Sequence, residues 1–129
     1  MRIMIDTNVI ISAMLKQGSL PALVLEYACE NCDLILCDYI IDESYDVANK
    51  RFPQRLSVLD NIFAKLRYEL VPAPRTGSIE IKDIKDQPIL NAALAYDIDI
   101  IVTGDKHFLK LDIKYPEILS PADFHNKYV

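Results

Sequence analysis

The sequence predicts an α/β fold in three layers: a mainly parallel central sheet of about five strands, covered by helices on both faces. Three observations carry this expectation. Short, largely apolar runs recur along the chain at residues 2–6, 33–37, 68–71, 99–102 and 117–119. Between them, apolar residues return with the spacing of a helix face. Runs such as Ile3-Met4-Ile5 and Ile100-Ile101-Val102 are apolar at consecutive positions, as strands buried on both faces are, and strands separated by helices pair in parallel. With 129 residues, 51% of them apolar and 26% charged, the chain is the size of one domain, taken as residues 1–129, and can bury a core without disulfides or metal.

Each element has its own signal. Residues 2–6 form the first strand, and residues 8–15 continue with apolar positions too dense for a half-exposed strand, so they form a helix that Gly18 ends. Ser19, with Pro21 close behind, starts a second helix in which Leu23, Val24, Tyr27 and Ala28 share a face up to about Cys32. Residues 33–37 are the second strand. Asp38 is placed to cap the third helix, whose apolar face holds Ile40, Ile41, Ser44, Val47 and Ala48 while Asp42, Asp46 and Asn49 face away. It ends near Phe52-Pro53. A fourth helix fits residues 56–66, a third strand follows around 68–71, and residues 71–78 read as a loop inside the domain. Asp86-Gln87-Pro88 opens a helix over 89–96, because proline is tolerated in a first turn and a carboxylate there suits the helix dipole. Residues 99–102 are a fourth strand, 108–111 a short helical piece, 117–119 a fifth strand, and Ser120-Pro121 starts a last helix that runs to Tyr128.

Composition narrows the functional classes. Cys29, Cys32 and Cys37 are an odd number of thiols in a chain without the makeup of a disulfide scaffold, which points to a reducing compartment, the cytoplasm. A carboxylate at Asp6 leaves no room for a signal peptide, and no apolar run approaches the ~20 residues of a membrane span, so a soluble protein is expected. Cys29-Glu30-Asn31-Cys32 has redox spacing but closes a helix instead of starting one, where a thiolate would be stabilised, so a structural role is expected. Three glycines, Gly18, Gly77 and Gly104, cannot build a nucleotide-binding fingerprint. Lysines and arginines number 14 against 19 aspartates and glutamates, a net charge of -5 that at first sight disfavours an anionic partner. Arg51, Arg55, Lys65, Arg67 and Lys106 are candidate phosphate contacts, with no spacing that singles one out.

In an open parallel sheet the functional edge lies at the carboxyl ends of the strands. Two of the strongest runs deliver an aspartate there: Asp6 after Ile3-Met4-Ile5, and Asp105 after the fourth strand, with Gly104 allowing a turn or a close approach. Each also has an ordinary role as a helix cap. Glu43, flanked by Ile40 and Val47, stands at the border of the apolar face of the third helix; alone it reads as a boundary residue with its head in water. Asp86 directly precedes the helix of 89–96, and Asp83 is either a supporting group or simply solvated. Carboxylates gathered at one edge would raise one another's pKa unless something positive sat among them. An all-oxygen set of this kind suits Mg²⁺ or Mn²⁺, which keep exchangeable waters and accept phosphate oxygens. The implied chemistry is metal-assisted phosphodiester hydrolysis, in which one ion lowers the pKa of an attacking water and a second offsets charge on the leaving oxygen. No serine or cysteine nucleophile is then required.

These residues resemble those of a PIN-domain nuclease, in particular the small stand-alone PIN proteins assigned as toxins of toxin-antitoxin pairs. The carriers are Ile5-Asp6-Thr7-Asn8-Val9 with Ser12-Ala13, then Asp42-Glu43, then Asp83-Ile84-Lys85-Asp86-Gln87-Pro88-Ile89-Leu90 leading into Ala92-Ala93, and Ile101-Val102-Thr103-Gly104-Asp105-Lys106. The ending Ile118-Leu119-Ser120-Pro121-Ala122-Asp123-Phe124 also resembles the family's last strand and helix. The resemblance covers nearly the whole chain and implies a PIN-like fold with catalytic, metal-binding acids at Asp6, Glu43, Asp86 and Asp105. It implies that Thr7, Asn8 and Thr103 orient those carboxylates or the metal-bound water. Mg²⁺ or Mn²⁺ dependence, cleavage of single-stranded RNA, a homodimer and an antitoxin partner that blocks the site are implied as well. One departure is His107, where relatives of this type often carry a further acidic residue that bears on a second metal; a surface role is expected for it. His125 has no nominated role.

Three rival functions share part of this pattern. A phosphatase of the haloacid dehalogenase type also puts aspartates at strand ends, but it needs a second one two residues after the first, where this chain has Asn8, and a receiver domain needs its acceptor on a middle strand. A catalytically silent PIN-like binding module is disfavoured by the intact set of four acids. Those four account for most of the acidic excess, since without them acids outnumber bases by one. The charge then reads as metal-binding capacity. With no strongly basic surface, RNA binding is expected to be weak, salt-sensitive and steeply dependent on the bound metal.

Overall fold

β1 (Arg2–Ile5) is apolar on three consecutive residues because both of its faces are covered: Ile3, Met4 and Ile5 are fully buried in the computed structural model, which describes residues 1–77 and 79–129. Side chains alternate across a strand, so burial of neighbours means helices on both sides. The chain continues through α1 (Thr7–Leu15), α2 (Leu20–Asn31), β2 (Asp33–Cys37), α3 (Asp38–Arg51), a 3-10 turn (Pro53–Arg55), α4 (Leu56–Lys65) and β3 (Glu69–Val71). It then runs through α5 (Gln87–Ala95), β4 (Ile100–Val102), α6 (Lys106–Leu109), β5 (Glu117–Leu119) and α7 (Pro121–Tyr128).

The five strands form one sheet in the order β3-β2-β1-β4-β5, every pair parallel, with Ile3 opposite Leu34 on one side and Ile100 on the other. The chain builds outward from β1 to β3, crosses back through α5 to β4, and continues outward to β5. The connections therefore leave β1 and β4 in opposite directions, and the carboxyl ends of these two strands border a crevice where such sheets bind ligands. α1 packs on α2, α3 and α4, α2 also meets α7, and α3 meets α5.

The expected elements all form, and the differences are local. Asp38 does not cap α3 through the helix start; its carboxylate accepts the Tyr39 and Ala73 N–H groups at 2.8 and 2.9 Å, tying α3 to the segment after β3. The third helix passes into the 3-10 turn at Pro53, where the sequence reading had no element. Gly18 takes φ 77° in the turn after α1, a left-handed backbone that suits glycine. Gly104 has no left-handed backbone to accommodate, and a Cβ there would make ordinary contact with Asn8 Oδ1 at 3.5 Å. Cys29 Sγ accepts the Arg67 N–H at 3.1 Å, which joins the end of α2 to the chain entering β3 and agrees with a structural role. The proline loop expected over 71–78 is seen to Gly77, and Ser78 lies outside the described residues. Among the described residues no single helix is long and apolar enough to cross a membrane.

Candidate functional site

Asp6 is the first residue past β1, and its N–H still donates to Val102 of β4 at 2.9 Å, so the two central strands end side by side. Its Oδ1 accepts the Thr7 N–H at 2.7 Å and caps α1; its Oδ2 accepts the Thr103 hydroxyl at 2.7 Å and Asn8 Nδ2 at 3.3 Å. Asn8 Oδ1 in turn accepts the Gly104 N–H at 3.0 Å, and the Asp105 N–H donates to Thr103 Oγ1 at 3.0 Å. Thr103 and Asn8 thus lock Asp6 and Asp105 into one network across the ends of β1 and β4. Asp105 Oδ1 accepts the His107 N–H at 2.8 Å and caps α6. The ordinary capping role is real for both aspartates; Asp105 caps through Oδ1 alone, whereas both oxygens of Asp6 accept hydrogen bonds. His107 itself is exposed, as expected.

Asp86 behaves differently. It precedes α5 without capping it through its side chain, is only 5% exposed, and its Oδ2 is buried with no hydrogen-bond partner among the described residues. Burying a carboxylate oxygen without a donor costs several kcal/mol unless a proton or a cation sits on it. Burial, reinforced by the charges of Asp105, Asp6 and Asp83, raises the Asp86 pKa to about 8. Asp6 is raised to about 6, again by burial first, with Glu43 and Asp105 pushing in the same direction and the Thr103 and Thr7 hydrogen bonds opposing. Thr7 Oγ1 is a second buried polar atom without a partner among the described residues.

Glu43, on α3, accepts the Tyr39 hydroxyl at 3.1 Å from one turn earlier. It lines a cleft of about 390 Å³ together with Asp6, Asp86 and Asp105. The structure therefore brings all four nominated acids to one place. It also draws in Asp83: one carboxylate oxygen from each of Asp83, Asp86 and Asp105 lies within 4.8 Å of the others. From the sequence, Asp83 is a supporting or a solvated group, and its three-residue spacing from Asp86 is the signal that joins it to the site. Such an oxygen-only set, with an orphaned buried carboxylate oxygen in it, fits a hard divalent cation.

The segment carrying Asp83 is clasped by two amides of α5 that the sequence reading missed. Gln87 accepts the Ile81 N–H at 2.8 Å and donates to the Ile79 carbonyl and to Asn91 Oδ1, each at 2.8 Å; Asn91 donates to the Pro74 carbonyl at 3.1 Å. Their i, i+4 spacing was visible, but their partners were not. Of the candidate phosphate contacts, Arg51 lines the acidic cleft, as does Lys85, which was not among them. Arg55 and Lys65 stand on a separate groove between α1, α2 and α4, and Arg67 lies at the amino edge of the sheet beside Met1 and Asp33.

A family model described as PIN domain matches residues 2–107 of the chain. Among solved structures, VapBC2 from Rickettsia felis, bound to a DNA fragment from their promoter, is similar over 92% of this chain and 97% of that chain, at 23% identity and a TM-score of 0.67. VapC20 of Mycobacterium tuberculosis, described as a Sarcin-Ricin loop cleaving toxin, is similar over 77% of this chain and 86% of its own, at 8% identity and a TM-score of 0.53. At these identities the likeness is one of fold. Comparison with curated proteins gives no match.

Proposed function

The chain belongs to the PIN domain family, and from that premise we propose that it is a Mg²⁺- or Mn²⁺-dependent endoribonuclease that hydrolyses single-stranded RNA as the toxin of a toxin-antitoxin pair. One observation carries the reading: acids from four separate segments line one cleft at the carboxyl edge of the sheet, and one of them, Asp86, keeps a buried oxygen with no donor. Asp6, Glu43, Asp86 and Asp105 would hold the ion, with Asp83 beside Asp86 and Asp105. When bound, a divalent ion supplies positive charge for the phosphate oxygens and makes an attacking water more acidic.

The chain's own groups prepare that site. The Thr103 hydroxyl and the Thr7 N–H fix both oxygens of Asp6, and the Tyr39 hydroxyl holds Glu43. Holding the acids in place before substrate arrives removes the reorganisation they would otherwise need. The phosphatase alternative is disfavoured by Asn8, whose amide is engaged by Gly104 and Asp6 where that chemistry requires a carboxylic acid. An antitoxin partner is supported by the likeness to VapBC2; a homodimer and a cytoplasmic location belong to the same reading.

Incubation of single-stranded RNA with the protein and Mn²⁺ or Mg²⁺ is expected to give cleavage that a chelator abolishes. Asp6→Asn and Asp105→Asn are each expected to slow it by about 100-fold or more. Undiminished cleavage by either variant overturns the mechanism, and untouched RNA with hydrolysis of a phosphomonoester favours the phosphatase.

A further inference from the structure

Two cations stand in a cleft full of carboxylates and, among the described residues, form no ion pair with any of them. Arg51, at the end of α3, and Lys85, in the segment before α5, both line the acidic cleft and are exposed. The ion pairs among the described residues lie elsewhere: Arg2 with Glu69, Lys50 with Asp46, and Lys127 with Glu117. Lys50 and Arg51 both stand in the last turn of α3, where a cation suits the helix dipole, and of the two it is Arg51 that also lines the cleft.

The Arg51 guanidinium lies over an aromatic ring. Its Cζ lies 5.4 Å from the centroid of the Phe52 ring, which itself lines the cleft where α3 breaks into the 3-10 turn. A guanidinium resting on an aromatic face keeps its planar fork of donors while losing freedom in advance. Lys85 is fixed at the backbone by its N–H to Asp83 Oδ1 at 2.9 Å, which sets it between Asp83 and Asp86. A chain of net charge -5 repels a polyanion, and cations beside the acids would draw its phosphates to the site.

We propose that Arg51, stacked on Phe52, and Lys85 are phosphate-binding residues that seat the backbone of a single-stranded RNA in the acidic cleft. The proposal rests on the reading of that cleft as the RNA site. Arg51 offers a two-pronged contact to one phosphate and Lys85 a point charge to another. Neither is assigned a part in bond cleavage.

The test is binding of a fluorescein-labelled single-stranded RNA 12-mer by anisotropy, in Ca²⁺ at several salt concentrations, with cleavage in Mn²⁺ measured separately. Arg51→Gln and Lys85→Gln are each expected to weaken binding by about tenfold and to lower the slope of log affinity against log salt by about 0.7. Arg51→Lys is expected to keep the slope. Arg55→Gln and Lys65→Gln, on the other groove, are expected to bind as the unsubstituted chain does, and thermal melts check that all variants fold. Unchanged affinity and slope in the Arg51 and Lys85 variants, equal losses in the Arg55 and Lys65 variants, or no RNA binding by the unsubstituted chain each overturns the proposal. RNA that binds through Arg51 and Lys85 but is not cleaved in Mn²⁺ removes the nuclease reading and leaves this one standing.

Discussion

Asp86 shows how much one atom can determine. Its Oδ2 meets no donor, and burial together with Asp105, Asp6 and Asp83 lifts its pKa from 3.8 to about 8. In the unfolded chain the group ionises near pH 4, while the folded, metal-free protein keeps the proton until about pH 8. The native state therefore binds more protons across that window, and its stability falls as pH rises through it. Asp6, raised to about 6, adds in the same direction between about pH 4 and 6. The expected outcome is a metal-free protein whose Tm is higher at pH 5 than at pH 8 by about 5 °C or more, on the order of 2 kcal/mol. Asp86→Asn should flatten that difference, and saturating Mn²⁺ should reverse it, because the ion takes the proton's place. Thermal melts with chelator and with Mn²⁺ check this. At this scale the sequence was partly legible: Asp6 and Asp105 were found because they follow buried strands, whereas Asp83 and the Tyr39 contact to Glu43 depend on how separate segments meet.

Among the elements, the side chains of Gln87 and Asn91 tie the backbone at Pro74, Ile79 and Ile81 to α5, next to the segment that carries Asp83 and Asp86. Gln87→Ala removes three hydrogen bonds and is expected to cost about 1–3 kcal/mol. It should also weaken Mn²⁺ binding by about tenfold, since supporting residues commonly act on metal affinity at that level. Calorimetric titration with Mn²⁺ reads the second effect separately from stability. Gly77 packs tightly here: a Cβ would run into the Asn91 amide, 2.9 Å from its Cγ. Gly77→Ala should therefore destabilise the chain by about 1–3 kcal/mol, and less so on an Asn91→Ala background, because the two changes share one contact. Melts of the two single variants and the double variant measure that coupling. The helices and strands were legible because a buried strand and a helix face each leave a local pattern. The clasp was not, because three of its four bonds go to backbone groups of a segment without periodicity.

For the whole molecule, the sheet order and the charge distribution act together. The order β3-β2-β1-β4-β5 puts the crevice at the ends of β1 and β4, and most of the acidic excess collects there. Such a surface should bind RNA only when a divalent ion offsets those acids, so a chelator is expected to lower RNA affinity by about tenfold or more. Anisotropy with and without chelator decides it, and an affinity that ignores the chelator contradicts this account.

The sequence by itself determined the α/β class, the elements in their order, and the positions of the acids past the two most apolar strands. Those follow from local physics: burial on both faces writes consecutive apolar residues, and a helix face writes a 3.6-residue period. Only the tertiary structure decided which strands adjoin, that Thr103 bonds to Asp6 across 97 positions, that Asp83 joins Asp86 and Asp105, and that Arg51 and Lys85 line the same cleft as Asp86 and Asp105. Contacts between residues so far apart in the chain are set by how the sheet closes around β1, and that closure leaves no repeating mark on the residues it brings together.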